Sequence, residues 1–316
     1  MKLLVTTPWV NRYIDELRTE FPQVEFITTE TPEDLVAAAA DVEVAFGPVS
    51  GEVLSAARQL RWIQSASAGV EWMKRVPELA ETDVIVTNTR GAHAATIAEH
   101  AMGMLIFLAR GFSSLYEAQK QHVWQRPLEK PGVGLLGLTM GIIGLGNIGR
   151  AIAQRAHAFD MKLIAVDAHD VPRPDYIADF RLLDGLPELL RRSDVVAVAT
   201  PITDETRGML GPDQLALLQP SAFLLVLSRG GIVDEPTLAQ MLREGRLAGA
   251  GLDVTTTEPL PPESELWEAP NILITPHCSP SSQQTRANVT AILKENLTRY
   301  LAGESLTNLV DKRLGY

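Results

Sequence analysis

The sequence predicts an α/β protein with two domains, each built on a parallel sheet. Three observations carry this. At 316 residues the chain exceeds what one ordinary core supports. Apolar runs of strand length alternate with amphipathic stretches of helix length, and repeated βα alternation implies parallel strands. A Gly-rich turn, Gly144-Leu-Gly-Asn-Ile-Gly149, opens a second series after a long helical stretch.

In the first series, strands are expected at Leu3–Thr6, Val24–Ile27, Val42–Phe46, Arg61–Gln64 and Val84–Thr87. Helices are expected near Asn11–Glu20, Pro32–Ala40, Gly51–Arg58 and Val70–Arg75. Thr31 before Pro32 and Glu33 is a strong start signal, a capping hydroxyl followed by Pro at the first helical position. Ala94–Arg110 reads as one long helix ended by Gly111, followed by a polar stretch with Trp124, Pro127 and Pro131. The second series has strands at Met140–Leu145, Lys162–Asp167, Val195–Ala199, Ala222–Leu227, Gly251–Thr255 and Asn271–Thr275. The last helix, Gln283–Ala302, carries Val289, Ile292, Leu293, Leu297 and Leu301 at helical spacing. With the second series already complete, this helix is placed back on the first domain. The domains are thus 1–93, 94–282, and 283–316 returning to the first.

The totals exclude several classes. The apolar fraction of 46% is that of a soluble globular chain. A net charge of −11 argues against a nucleic-acid partner, which needs clustered Lys and Arg. One cysteine, Cys278, rules out an intrachain disulfide and suggests a reducing compartment. Metal-ligand spacings of the Cys-x-x-Cys or His-Glu-x-x-His kind are absent, and no metal is expected. With no signal-peptide core and no membrane-length apolar run, a cytoplasmic protein without membrane contact is expected.

A bare Gly-x-Gly-x-x-Gly is weak, but its context here is specific. A strand precedes Gly144, Gly146 and Gly149, and the helix-forming run Arg150–Phe159 follows. Such glycines permit a tight turn and close approach of the backbone to a pyrophosphate, which the helix N-terminus stabilises. The next strand ends at Asp167, 18 residues beyond Gly149, where an acid can hold ribose hydroxyls. Its charge repels a 2′-phosphate, so NAD is preferred over NADP. Arg173, with His169 nearby, is the residue that could reverse this by bending back.

Arg229, Glu258 and His277 each follow a short apolar run: Phe223–Leu227, Leu252–Val254 and Ile272–Ile274. In an open α/β sheet, ligands bind outside the carboxyl ends of the strands. A guanidinium, a carboxylate and an imidazole therefore reach the same edge as the nucleotide turn. Hydride transfer to a keto acid needs such a set. Arg229 can polarise the carbonyl and hold the carboxylate, His277 can give the proton, and Glu258 can favour the imidazolium and fix the ring. Each alone has a plain structural explanation, in a sheet-edge pair, a solvated loop or a strand end. The other histidines, His93, His100, His122, His157 and His169, show no partner spacing and read as structural or surface. Cys278 reads as an inert thiol.

These residues, with Thr200–Thr206, Ser228–Glu235, Leu252–Pro259 and Thr275-Pro-His277, resemble the D-isomer-specific 2-hydroxyacid dehydrogenase family over essentially the whole chain. The resemblance implies Rossmann-like/flavodoxin-like domains with the active site in the interdomain cleft. It also implies Arg229, Glu258 and His277 as the catalytic set and Asp253 against the nicotinamide carboxamide. Cofactor contacts are implied at Gly144, Gly146, Asn147, Ile148, Gly149, Asp167, Thr200, Pro201, Thr206, Leu227, Ser228, Arg229, Asp253 and His277. Ser65-Ala-Ser-Ala-Gly-Val70 is similar to the family's loop for the substrate carboxylate, with Ala68 and Gly69 as donors beside Arg229 and His277. The family forms homodimers through the region after Asn88-Thr-Arg-Gly91, and in some members a Trp near Trp124 reaches the partner's site; Trp124 as a packing anchor is the alternative. The stretch from Glu258 to Leu314-Gly-Tyr316 is closest to the glyoxylate/hydroxypyruvate reductase-like branch. The implied reaction is NAD(H)-dependent reduction of a small 2-keto acid, glyoxylate or hydroxypyruvate first. A non-enzymatic, corepressor-like NAD sensor or a dehydrogenase for another 2-hydroxy acid is the alternative. Val226, where the family usually has Asn, and Cys278-Ser-Pro280 depart from the pattern.

Overall fold

The structure, a computed structural model, describes residues 1–29, 31–124, 126 and 131–313. Pro127 and the tail residues 314–316, part of the branch resemblance, lie outside them. The chain divides into two compact units: Met1–His93 with Ser282–Tyr316, and Ala94–Ser281. Ser282 goes with the first unit because its hydroxyl caps the last helix, accepting the Thr285 N–H.

The first unit carries β1 (Lys2–Val5), α1 (Ile14–Glu20), β2 (Glu25–Thr28), α2 (Pro32–Ala38), β3 (Val44–Phe46), α3 (Gly51–Ala56), β4 (Trp62–Gln64) and β5 (Ile85–Thr87). All strands are parallel, in the order β2-β1-β3-β4-β5. This is the flavodoxin-like order, with its switch point between β1 and β3. Thr31 caps α2 and Ser50 caps α3, each accepting an N–H three residues on. Pro8–Tyr13, Glu71–Arg75 and Pro77–Glu81 are 3-10 turns. The first two fall where α-helix was expected, over Asn11–Tyr13 and near Val70–Arg75.

The final helix of the chain, Gln283–Ala302, buries Val289, Leu293 and Leu297 against Leu3, Phe46 and Trp62 of this unit. A buried polar network fixes its register. Asn296 donates to Gln64 Oε1 (2.9 Å) and accepts from Thr307, while Thr87 joins Gln64 to the Trp62 indole N–H (2.8 Å). Fully satisfied polar groups of this kind specify one packing arrangement, because any slip leaves them unpaired in low dielectric.

The second unit opens with α4 (Ala94–Ala109) and α5 (Phe112–Lys120). It continues with β6 (Thr139–Ile143), α6 (Asn147–Ala158), β7 (Lys162–Asp167), β8 (Ile177–Leu182), α7 (Leu186–Arg192), β9 (Val195–Val198), α8 (Pro212–Leu215), β10 (Phe223–Val226), α9 (Glu235–Arg243), β11 (Gly249–Leu252) and β12 (Ile272–Ile274). The seven strands are all parallel, ordered β12-β11-β10-β9-β6-β7-β8. That is a doubly wound Rossmann sheet, switching direction between β6 and β9. One apolar cluster covers each face; α4 and α6 contribute to one, α7 and α9 to the other. β8 and α5 are among the elements that the sequence expectation did not name. β8 is an edge strand with mixed exposure, and α5 has no buried residue at all, so neither carries a strong apolar period. Among the described residues no helix is long and apolar enough to cross a membrane.

Candidate active site

The switch point is where the Gly-rich turn sits. Gly144 has φ +90, and a Cβ there would lie 2.8 Å from Thr200 N, at the carboxyl end of β9. A Cβ on Gly149 would strike the Gly144 carbonyl oxygen at 2.0 Å, so α6 can start this close only with glycine. Gly146, the N-cap, has nothing within 4 Å of its Cβ position, leaving the mouth of the turn open. The amides of Asn147, Ile148 and Gly149 donate to no group among the described residues. They form a set of orphan donors at a helix N-terminus, the arrangement that suits a phosphate.

Asp167 ends β7 and lies against this turn. Its Oδ2 accepts the Leu145 N–H (2.7 Å) and its Oδ1 the His169 N–H (3.2 Å). Arg173 does not bend back: it pairs with Asp170 (2.8 Å), and its guanidinium stacks over Phe180 at 4.5 Å. The Thr206 hydroxyl donates to Pro201 O (2.7 Å) and accepts the Thr203 N–H, closing the loop that follows Thr200. At the end of β10, Leu227 and Ser228 are buried, and the Ser228 hydroxyl has no partner among the described residues. A buried hydroxyl without a partner is costly in isolation. Together with the open turn and its free amides, it fits a dinucleotide lying along this edge.

Three parallel strands end level beside it, with Val226, Leu252 and Ile274 adjacent in register. The chain leaves them toward Arg229, Glu258 and His277. His277 Nδ1 lies 2.8 Å from Glu258 Oε2. A carboxylate only accepts, so Nδ1 carries the proton of this bond and Nε2 faces away from it. Glu258 is itself held, its Oε1 taking the Thr255 N–H (3.2 Å). The Arg229 guanidinium donates to Ser228 O (2.7 Å). Val226 is packed in the core of the sheet.

Asp253 is buried at the end of the neighbouring strand, β11. Its side chain has no exposed surface, and its oxygens accept Thr275 Oγ1–H (2.6 Å) and the amides of Cys278 (3.0 Å) and Ser279 (3.0 Å). It faces the turn after β12 rather than an open edge. His100 joins this group: its Nε2 lies 3.0 Å from Thr275 Oγ1 and 3.8 Å from Asp253 Oδ1. His100, Asp253 and Cys278 bring donor atoms within 4.8 Å of one another. Burial, then the Asp253 charge, push the Cys278 thiol above its usual range, and the Asp253 oxygens are already occupied. The group is therefore a hydrogen-bonded cluster around Asp253, in which the thiolate form of Cys278 is disfavoured.

In the first unit, the loop after β4 is braced through its oxygens. Asn88 Nδ2 donates to Ala68 O (2.9 Å), Ser67 Oγ to Gly69 O (2.7 Å), and the Thr89 N–H to Ser67 O (3.3 Å). The amides of Ala68 and Gly69 donate to nothing among the described residues. Adjacent free amides of this kind form an anion-binding concavity. Trp124 is 90% exposed, which removes the packing-anchor explanation within one chain.

The model for the NAD binding domain of D-isomer specific 2-hydroxyacid dehydrogenases matches residues 102–279. A glyoxylate reductase of Korarchaeum cryptofilum is 32% identical, covering 95% of this chain and 90% of that one. A D-3-phosphoglycerate dehydrogenase of Methanocaldococcus jannaschii is also 32% identical over 98% of this chain, which spans 59% of that longer protein. Among solved structures, a D-isomer specific 2-hydroxyacid dehydrogenase family protein of Aeromonas salmonicida superposes with a TM-score of 0.88 at 30% identity, covering 98% of this chain and 99% of that one. The chain belongs to the D-isomer-specific 2-hydroxyacid dehydrogenase family and is an oxidoreductase acting on CH–OH groups with a nicotinamide cofactor.

Proposed function

We propose that this enzyme reduces a small, unphosphorylated 2-keto acid, glyoxylate or hydroxypyruvate, to the D-2-hydroxy acid with NADH. The observation that carries the proposal is the 2.8 Å bond between His277 Nδ1 and Glu258, beside Arg229 at the edge that holds the nucleotide turn. When bound, the nicotinamide supplies the hydride to the carbonyl carbon. Arg229, permanently charged and forked, draws electron density toward the carbonyl oxygen and holds the carboxylate. His277 delivers the proton from Nε2 to that oxygen, while Glu258 keeps Nδ1 protonated and the ring oriented. The free amides of Ala68 and Gly69 suit a carboxylate group.

Two observations narrow the reading. Arg173 is committed to Asp170 and Phe180, which leaves the Asp167 charge unopposed toward a 2′-phosphate and supports NAD over NADP. The turns at the carboxyl ends of β3 and β4, Gly47–Ser50 and Ser65–Gly69, carry no Lys or Arg. A phosphorylated acid would need such cations. The test is a panel of glyoxylate, hydroxypyruvate and 3-phosphohydroxypyruvate, assayed with each coenzyme. The unphosphorylated acids with NADH should lead by about tenfold or more in kcat/KM, a difference of about 1.4 kcal/mol. Preference for the phosphorylated acid would overturn the substrate reading, preference for NADPH the coenzyme reading, and no turnover of any keto acid the reductase reading itself.

We extend the proposal to a homodimer in which Trp124 reaches the partner subunit's active site. α5 buries nothing within the chain, and Phe112, Tyr116 and Trp124 are 43%, 57% and 90% exposed. Apolar surface left this open marks an association site. Light scattering should read twice the 34.5 kDa chain mass, and a monomer mass at assay concentration would reject the assembly.

A further inference from the structure

We propose that His100 is a positioning residue for the proton donor, acting on His277 through Thr275 and Asp253; this rests on the role assigned above to His277. The turn after β12 is held by one residue at several points. The Asp253 carbonyl accepts the His277 N–H (2.8 Å), its Oδ1 accepts the Cys278 N–H, and both its carboxylate oxygens take the Ser279 N–H. Three consecutive amides are thereby gripped. Within that grip His277 sits at φ +49, in the left-handed region that few residues other than glycine adopt. A backbone held there persists only because its surroundings impose it. Asp253 therefore sets where the imidazole points without touching it.

His100 completes the arrangement. The Thr275 hydroxyl has one hydrogen, and the 2.6 Å bond to Asp253 Oδ1 uses it, since the carboxylate has none to give. The His100–Thr275 bond of 3.0 Å must then be donated by His100 Nε2–H, which fixes that tautomer. His100 projects from α4, whose Ala98, Ala101, Met102, Met104 and Leu105 are buried in the core of the same unit. The chain of bonds thus runs from a packed helix, through the hydroxyl, to the buried carboxylate and so to the turn. Without the His100 donor, the hydroxyl is free to rotate off Asp253, whose charge then loses a partner inside the protein.

The test uses His100→Phe, which keeps ring bulk and removes the donor, and His100→Gln, whose amide nitrogen can replace Nε2–H. With the keto acid and coenzyme chosen by the panel, His100→Phe should lower kcat by about 10²-fold, the effect of displacing a reacting group by about 1 Å. KM for the acid and NADH affinity by fluorescence titration should stay within about threefold, and His100→Gln should recover most of kcat. Should His100→Phe fold poorly, Thr275→Val cuts the same chain at the hydroxyl and should give the same kcat-only loss. Wild-type kcat in a folded His100→Phe protein would overturn the proposal, as would a loss shared equally by kcat, KM and NADH affinity that glutamine does not rescue. Full activity in His277→Ala would instead sink the proton-donor reading beneath it, so the two failures are distinguishable.

Discussion

Replacing His277 by alanine is expected to lower kcat for keto-acid reduction by about 10²–10⁴-fold, the range a positioned general acid contributes. In free energy this is roughly 3–5 kcal/mol of transition-state stabilisation. NADH affinity should change little. The turn at Gly144–Gly149 and the Asp167 carboxylate are fixed by their own bonds to Leu145 and His169, none of which involves His277. A companion variant, Glu258→Gln, keeps an acceptor for His277 Nδ1 and removes only the charge. A charge-assisted hydrogen bond is roughly twice as strong as a neutral one, so Glu258→Gln should lower kcat by about tenfold while NADH affinity holds. The pair is about 40% exposed on each side, so high salt should narrow the difference between Glu258→Gln and wild type. Near wild-type kcat in either variant would remove the respective residue from the mechanism.

How far this site could be read from the sequence depends on whether the relevant geometry is local. Arg229, Glu258 and His277 were legible because parallel strands with matched registers end at one level, and each residue follows such a strand. The nucleotide turn was legible because its glycines are demanded by contacts inside eight residues of chain or across one switch point. His100 was not. Its partners lie 153 and 175 residues away, and only the packing of α4 on the sheet brings them together. Asp253 was recognised by resemblance, whereas its grip on the turn after β12 rests on Thr275, Cys278 and Ser279, 22 to 26 residues further on, and is not a local signal. β8 escaped because only Ile177 of its six residues is buried, so at this sheet edge it lacks the continuous apolar run that marks the central parallel strands. α5 escaped for the complementary reason, since a helix that buries nothing needs no apolar stripe.

The second large effect is expected from a change that touches no reacting atom, Gly230→Ala. A Cβ at Gly230 would lie 1.9 Å from the Thr255 carbonyl oxygen, 2.1 Å from its carbon and 2.5 Å from Thr256 N. All three are backbone atoms, and they cannot rotate aside as a side chain would. Thr256 is also clamped, because Glu235 Oε1 accepts both its N–H (2.6 Å) and its hydroxyl (2.8 Å). The loop bearing Arg229 and the loop bearing Glu258 are therefore packed back to back, and one methyl group must drive them apart. Thr255 in turn donates to Glu258, so its displacement travels directly to the partner of His277. A loss of about 10²-fold in kcat/KM is expected, since displacements of about 1 Å carry that cost. Stability should fall by about 1–3 kcal/mol, the usual penalty of overpacking. Gly51→Ala, whose Cβ would meet nothing within 4 Å, is the matched control and should leave activity unchanged. If Gly230→Ala retained full kcat/KM, the two loops would have to adjust independently. The convergence of Arg229 and Glu258 would then owe nothing to their mutual packing.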